Sequence, residues 1–267
     1  MTDSRGVAAL EHVAATRYVT PLREGGSLPA IVEADDLGLY VLKFRGAGQG
    51  ANALVAELIA GEIARAAGLA VPDIVLMQLD PDLARSEPDA EIQSLIRASA
   101  GLNLALDYLP GSTTFDPLAW QPDAELASRI VWFDAYVSNL DRTPRNPNML
   151  VWHSRLWLID HGAALYFHHA AADFVDRAAT PFAGIRDHVL LPFASRIGEA
   201  DAALGELLSP ARIDAITALI PDDWLADGRP DADPLVERAA YSRYLVRRLA
   251  RPRAFAEEAE RARSLHV

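Results

Sequence analysis

Two residue types are almost missing from this chain of 267 residues. It has no cysteine, which excludes disulfide bonds, thiolate-bound zinc and thiol catalysis. This lack is typical of a protein of a reducing compartment, so we expect a cytoplasmic location. Lysine occurs once, as Lys43, and every other one of the 25 basic residues is arginine.

Long hydrophobic runs are also absent. No stretch of about 18 uncharged apolar residues occurs, so the sequence predicts no membrane span. The first twelve residues are polar and acidic, which does not fit a secretory signal. The net charge of −12 argues against direct nucleic-acid binding, which usually needs a basic face. With 51% hydrophobic residues, the chain can form one large domain or two lobes with a sizeable core.

The first part of the chain favours β-strands with one helix. Residues 1–15 read as a frayed lead or a short helix. Apolar runs between turn signals predict five strands at 17–20, 28–32, 39–44, 74–79 and 102–106. A helical pattern follows Asn52, its expected N-cap, and stops at Gly68. Successive hairpins predict an antiparallel sheet, and its first turn carries Gly25, Gly26 and Ser27.

The second part of the chain favours helices. Residues 107–111 interrupt the last strand with a proline and a glycine, which predicts a hinge. Helical patterns follow at 124–138, 197–208, 210–219 and 234–250, and an acidic-basic segment closes the chain at 253–263. The sequence therefore predicts an α+β fold, with a small antiparallel-sheet N-lobe at residues 1–108 and a mainly helical C-lobe at residues 109–267.

A polar loop between the helix at 124–138 and a hairpin carries the most informative residues. Asp141 and Asn146 stand five positions apart, and Asn148 directly precedes the hairpin. The hairpin has apolar runs at 149–152 and 156–159, joined through residues 153–155, and ends on Asp160. Phosphoryl-transfer sites of the protein-kinase type need one Asp to orient the acceptor hydroxyl, and an Asn and a second Asp to hold metal ions.

Lys43 lies inside the apolar run at 39–44, where a surface lysine is not expected. Lysine is a compact point charge suited to phosphate. We expect Glu57 of the following helix to pair with it, whereas Glu62 has a nearer partner in Arg65. Arg142 and Arg145 of the polar loop are candidates either for phosphate contacts or for solvated positions.

The chain resembles the bacterial HipA-like serine/threonine kinases, which share the two-lobed protein-kinase-like fold. The resemblance rests on the identity and order of five residues, Lys43, Glu57, Asp141, Asn146 and Asp160. The segment 141–146 is also similar to the D-R-x-x-x-N loop of phosphoinositide kinases. The resemblance implies an ATP- and Mg²⁺-dependent kinase with Asp141 as the catalytic base. It implies that Asn146 and Asp160 bind the metal, with Asn148 as a rival to Asn146. The residues expected at the nucleotide are Lys43, Glu57, Gly25, Gly26, Ser27, Asp107 and Leu109.

Three positions depart from the patterns of these families. Asn139 stands where protein kinases have His, Thr143 where HipA-like loops often have His, and His161 where protein kinases have Phe. The acceptor stays open as a protein or a small molecule. The alternatives are a small-molecule or lipid-headgroup kinase, a nucleotide-binding module without turnover, and a structural helical scaffold.

Overall fold

The computed structural model describes residues 8–22, 28–48, 50–169, 174–227 and 231–265. The first sheet contains five strands: β1 Glu11–Pro21, β2 Ala30–Ala34, β3 Leu39–Lys43, β4 Ile74–Leu79 and β5 Gly101–Asp107. They hydrogen-bond in the order β1-β2-β3-β5-β4, and β1 closes the sheet on β4.

The closing pair of strands corrects two predictions. β1 runs parallel to β4, with Glu11 opposite Val75, so the sheet is not purely antiparallel. Residues 11–15 are part of β1 and not of a lead or helix. Register shifts after Ala15 and Tyr18 disturb the alternation of β1, and its partner lies some sixty residues away. A local pattern search detects neither feature.

Side chains on the two faces of the sheet pack into different cores. Val32, Leu42 and Met77 pack inside the closed sheet, whereas Leu104 and Leu106 pack on the first helix. Because neighbouring strand residues point to opposite faces, Lys43 lies on the helix side while Leu42 lies inside. A second helix, α2 Ala90–Ala98, was not predicted; Asp89 caps it by accepting from the backbone N–H groups of Glu91 and Ile92.

The helix next to Lys43 is α1, Ala51–Ala66. Gly50, with a φ of 67°, is its N-cap, so the prediction of Asn52 as the cap is wrong by two residues. Gly68 follows its end with a φ of 75°, as the sequence predicts. A Cβ on Gly61 would lie 2.6 Å from Ile74 Cδ1, so this glycine lets α1 lie close to β4. That close approach brings Glu57 towards the sheet.

The rest of the chain is mainly helical and surrounds α3, Ala124–Val137. Asp123 caps α3 by accepting from the Leu126 N–H, and Trp132, Phe133 and Tyr136 are fully buried. Ser138, with a φ of 55°, ends the helix and turns the chain into the polar loop. The helices that follow are α4 Ile197–Leu207, α5 Pro210–Thr217, α6 Asp222–Leu225, α7 Pro234–Leu249 and α8 Ala254–Ser264. Over the described ranges, no helix has the length and apolar character needed to cross a membrane.

A second, small sheet follows the polar loop. It joins β6 Thr113–Thr114, β7 Met149–Trp152 and β8 Arg155–Leu158, all antiparallel. The predicted hairpin is present, but its turn consists of only His153 and Ser154, both with positive φ. Such a two-residue turn matches the twist of the flanking strands. The Leu158 N–H donates to Ala70 O, which ties the hairpin to the segment after α1.

Candidate active site

Lys43, at the end of β3, joins residues from three parts of the chain. Its Nζ donates to Asp160 Oδ1 at 2.5 Å and lies 3.3 Å from Glu57 Oε2. Only 10% of the lysine side chain is exposed, and Glu57 is buried, but 38% of the Asp160 side chain reaches solvent. The structure thus places a cation between a buried and a partly exposed carboxylate.

Burial and charge act in opposite directions on this pair. Burial alone lowers the pKa of Lys43, but Glu57 and Asp160 outweigh it, so the pKa lies above its ordinary value. Burial alone raises the pKa of Glu57, but the Lys43 charge and a hydrogen bond from His161 bring it well below its ordinary value. Lys43 and Glu57 are therefore charged throughout the neutral range.

His161 lies directly behind this cluster. Its Nδ1 is 3.3 Å from Glu57 Oε1 and donates to it, because a carboxylate can only accept. The ring is fully buried in a T-shaped contact with Phe133, and its Nε2 has no hydrogen-bond partner in the described part of the chain. His161 holds the glutamate that pairs with Lys43.

The polar loop brings both asparagines to Asp141. Asn146 Nδ2 donates to Asp141 Oδ2 at 2.8 Å. Asn148 Nδ2 lies 3.3 Å from the same oxygen and 3.4 Å from the Asp141 backbone oxygen. Asn146 is exposed, whereas Asn148 is buried with a φ of 47°. The Ile159 N–H donates to Asn148 O, so Asn148 stands across the hairpin from the residue before Asp160.

One buried carboxylate that the sequence analysis missed holds this loop. Asp134 Oδ2 accepts from Arg142 Nε at 2.6 Å and from His188 Nε2 at 2.9 Å, and Asp134 Oδ1 accepts from Asn139 Nδ2 at 2.8 Å. Arg142 also donates from Nη1 to Asn148 O. Since only 1% of Arg142 is exposed, it occupies neither the phosphate-contacting nor the solvated position considered for it. An acid inside the apolar helix at 130–137 was the signal available in the sequence.

Two more of the residues expected at the nucleotide, Asp107 and Leu109, belong to the described part of the chain. Asp107 and Leu109 line a cavity of about 300 Å³ whose walls also include Arg65, Trp152 and Trp157, and none of Lys43, Glu57 and Asp160 lines it. Within the described residues, no backbone hydrogen bond uses the Leu109 N–H. Gly25, Gly26 and Ser27 fall outside the described residues.

A lysine on a strand, a glutamate on the next helix, and an aspartate-bearing loop followed by a hairpin and a second aspartate are the parts of a kinase-like site. The chain belongs to the HipA-like kinase family, whose model matches residues 16–254. That match confirms the family resemblance inferred from Lys43 and the loop.

Comparisons with other proteins add the fold. The crystal structure of the Helicobacter pylori proinflammatory kinase CtkA is similar with a TM-score of 0.50 and 13% identity, covering 97% of this chain and 99% of that one. Two structures of the Golgi casein kinase, the second with Mn and ADP bound, have TM-scores of 0.47 and 0.45 and identities of 10% and 9%. They cover 97% and 94% of this chain, and 74% and 76% of their own. No curated protein matches the chain.

Proposed function

We propose that the protein is an ATP- and Mg²⁺-dependent phosphotransferase that moves the γ-phosphate to a serine or threonine hydroxyl of a protein. The observation that carries the proposal is Lys43, which joins β3, α1 and the end of the hairpin through Glu57 and Asp160. Residues 1–108 and 109–267 would be the two lobes on either side of this contact.

The donors around Lys43 suit a nucleotide with its metal. Mg²⁺ in such sites takes few protein oxygens and completes its shell with phosphate and water. No cluster of three His, Cys, Asp or Glu side chains that could hold a metal occurs in the described ranges. Asp160 would hold the ion and Lys43 the α- and β-phosphates, while Glu57 keeps the ammonium in place. Bound there, the ion would neutralise charge on the phosphates.

Between the two asparagines, we assign the second metal position to Asn148. The bond from Ile159 and the bond from Arg142 fix its backbone at the start of the hairpin. Asn146 is exposed, its backbone pairs with Thr143 inside the polar loop and not with the hairpin, and its side chain donates to Asp141. Asn146 would then orient the Asp141 carboxylate.

Asp141 is the proposed base. Both asparagines approach its Oδ2, and within the described residues no hydrogen bond reaches its Oδ1. Oδ1 is therefore the atom that would accept the proton of the acceptor hydroxyl. The Leu109 N–H would donate to the adenine.

The test is transfer from γ-labelled ATP with Mg²⁺, with and without cell lysate. Label on proteins supports the proposal, label only on small molecules assigns a small-molecule kinase, and binding without transfer indicates a pseudokinase.

Asp160→Asn should abolish transfer, and Asp141→Ala should lower kcat by about 10²–10⁴-fold with unchanged ATP affinity. Asn148→Ala should cost more activity than Asn146→Ala. Asp176→Asn, an exposed partner of Arg247, is the control that should leave transfer unchanged.

A further inference from the structure

The bonds around Asp134 converge on the residues next to Asp141. Asn139, two positions before Asp141, donates to Asp134 and accepts from the Asp141 N–H at 3.1 Å through its own Oδ1. Arg142, one position after Asp141, donates to Asp134 from Nε and to Asn148 O from Nη1. Residues on both sides of Asp141 are therefore hydrogen-bonded to the Asp134 carboxylate.

His188 adds a third donor from a distant part of the chain. Its Nδ1 accepts the Leu190 N–H at 3.0 Å, so its Nε2 carries the proton that it donates to Asp134. The Val189 N–H donates to Arg142 O at 3.0 Å. The segment after residue 187 thus holds both the carboxylate and the arginine bonded to it.

Burial makes the loss of any of these hydrogen bonds costly. Asp134, Asn139, Arg142 and His188 are all buried, and Arg142 Nη2 has no partner in the part of the chain that the structure describes. A buried charge that loses its partner cannot turn to water instead. The arrangement therefore fixes one position of the loop, where an exposed ion pair would permit several.

We propose that Asp134 is the positioning residue of the catalytic loop, acting through Asn139 and Arg142 and completed by the N–H of His188. This inference rests on the proposed function, because it takes Asp141 as the base. Asp134 touches no reacting atom. It determines the position of Asp141 Oδ1 relative to the acceptor hydroxyl. A mutation remote from the reacting atoms that misplaces a catalytic group by about 1 Å can lower the rate by about 10²-fold.

The experiment compares Asp134→Asn with Asp201→Asn. Asp201 also pairs with a buried arginine, Arg253, at 2.9 Å and accepts from Trp132 of α3, but none of its hydrogen bonds reaches residues 139–148. Both variants should melt at a lower temperature. Only Asp134→Asn should lower kcat, by at least about tenfold with the KM for ATP unchanged. Equal kcat at matched folded fractions, or a parallel rise in KM, would overturn the proposal.

A second pair decides the matter if Asp134→Asn does not fold. His188→Gln keeps an N–H donor, whereas His188→Phe keeps ring size without one. The Gln variant should retain at least half of kcat and the Phe variant should lose most of it, with KM for ATP unchanged in both. Two equally slow variants would contradict the positioning role. Asp141→Ala in the same assay distinguishes failure of the positioning role from failure of the proposed function. If the kcat of Asp141→Ala equals that of the wild type, the proposed function itself is wrong.

Discussion

Lys43 is unusual both in the composition of the chain and in its position in the structure. A chain that otherwise uses arginine keeps one lysine, and the structure places that lysine within reach of two carboxylates. An arginine head is planar and wider than an ammonium, and it fits a different set of partners. Only 10% of the Lys43 side chain is exposed, so the position offers little room for that head.

Lys43→Arg should therefore abolish transfer even though it keeps the charge. Burial of the position also predicts a loss of stability, by about 1–3 kcal/mol, because a larger head must fit beside Glu57 and Asp160. The measurements are phosphotransfer at saturating ATP and thermal melting without nucleotide. Arg17→Lys, on the exposed side of β1, is the control that should change neither. Near-normal transfer in the Lys43 variant would remove this residue from the nucleotide site.

The sequence reveals the charged residues of the site better than those that support them. Lys43 stands out as the single lysine, inside an apolar run, and Glu57 as an acid within an apolar helical pattern. Asp141 stands out in a polar loop, and Asp160 at the end of a hairpin. Asp134 was visible only as an acid inside an apolar helix, and its bond to His188 joins residues 54 positions apart. Only the folded chain brings them together.

At the scale of elements, the sequence predicted the strands and helices whose ends are set by nearby turn or capping residues. The strand at 74–79 and the helix from Ala124 match the structure because turn residues and a cap bound them. The parallel pairing of β1 with β4 could not be predicted in this way, since it depends on closure of the sheet. The two-residue strand β6 was missed because its pairing with β7 depends on a partner far along the chain.

The hairpin turn offers a prediction about stability. His153 and Ser154 have φ of 48° and 58°, a conformation that costs an L-residue about 1 kcal/mol and a glycine much less. Ser154→Gly should therefore raise the free energy of unfolding by about 0.5–1 kcal/mol, without changing transfer. Urea unfolding measures it. Ser94→Gly, within α2, should lower stability by a similar amount, and a loss in both variants would contradict the assigned turn.

At the scale of the whole molecule, polar contacts join the first sheet to the later part of the chain. Besides Lys43 and Asp160, Arg45 of the segment after β3 pairs with Asp227 at 3.2 Å. The indole N–H of Trp224 in α6 donates to Leu102 O of β5. Two of these three contacts contain an ion pair, and the third is a hydrogen bond to a backbone oxygen.

Two buried carboxylates should make the stability of the chain depend on pH on the acid side. Burial alone would raise the pKa of Asp134, but Arg142 and His188 outweigh it and lower the pKa; Lys43 and His161 do the same for Glu57. A depressed pKa contributes stability above the unfolded value of about 4, and that stability is lost as pH falls towards the folded value. Each group should contribute a slope of about 1.4 kcal/mol per pH unit below pH of about 4.

The slope can be assigned to one residue by comparing variants. Urea unfolding between about pH 3 and 7 gives the free energy of unfolding for the wild type, Glu57→Gln and Asp176→Asn. Below a pH of about 4, Glu57→Gln should flatten the acid slope by about 1.4 kcal/mol per pH unit, because the variant has no proton to take up on unfolding. Asp176→Asn should leave the slope unchanged, since its side chain is largely exposed. An unchanged slope in Glu57→Gln would mean that Lys43 does not hold this carboxylate charged in the folded protein, and the ion pair at the centre of the proposed site would not persist in solution.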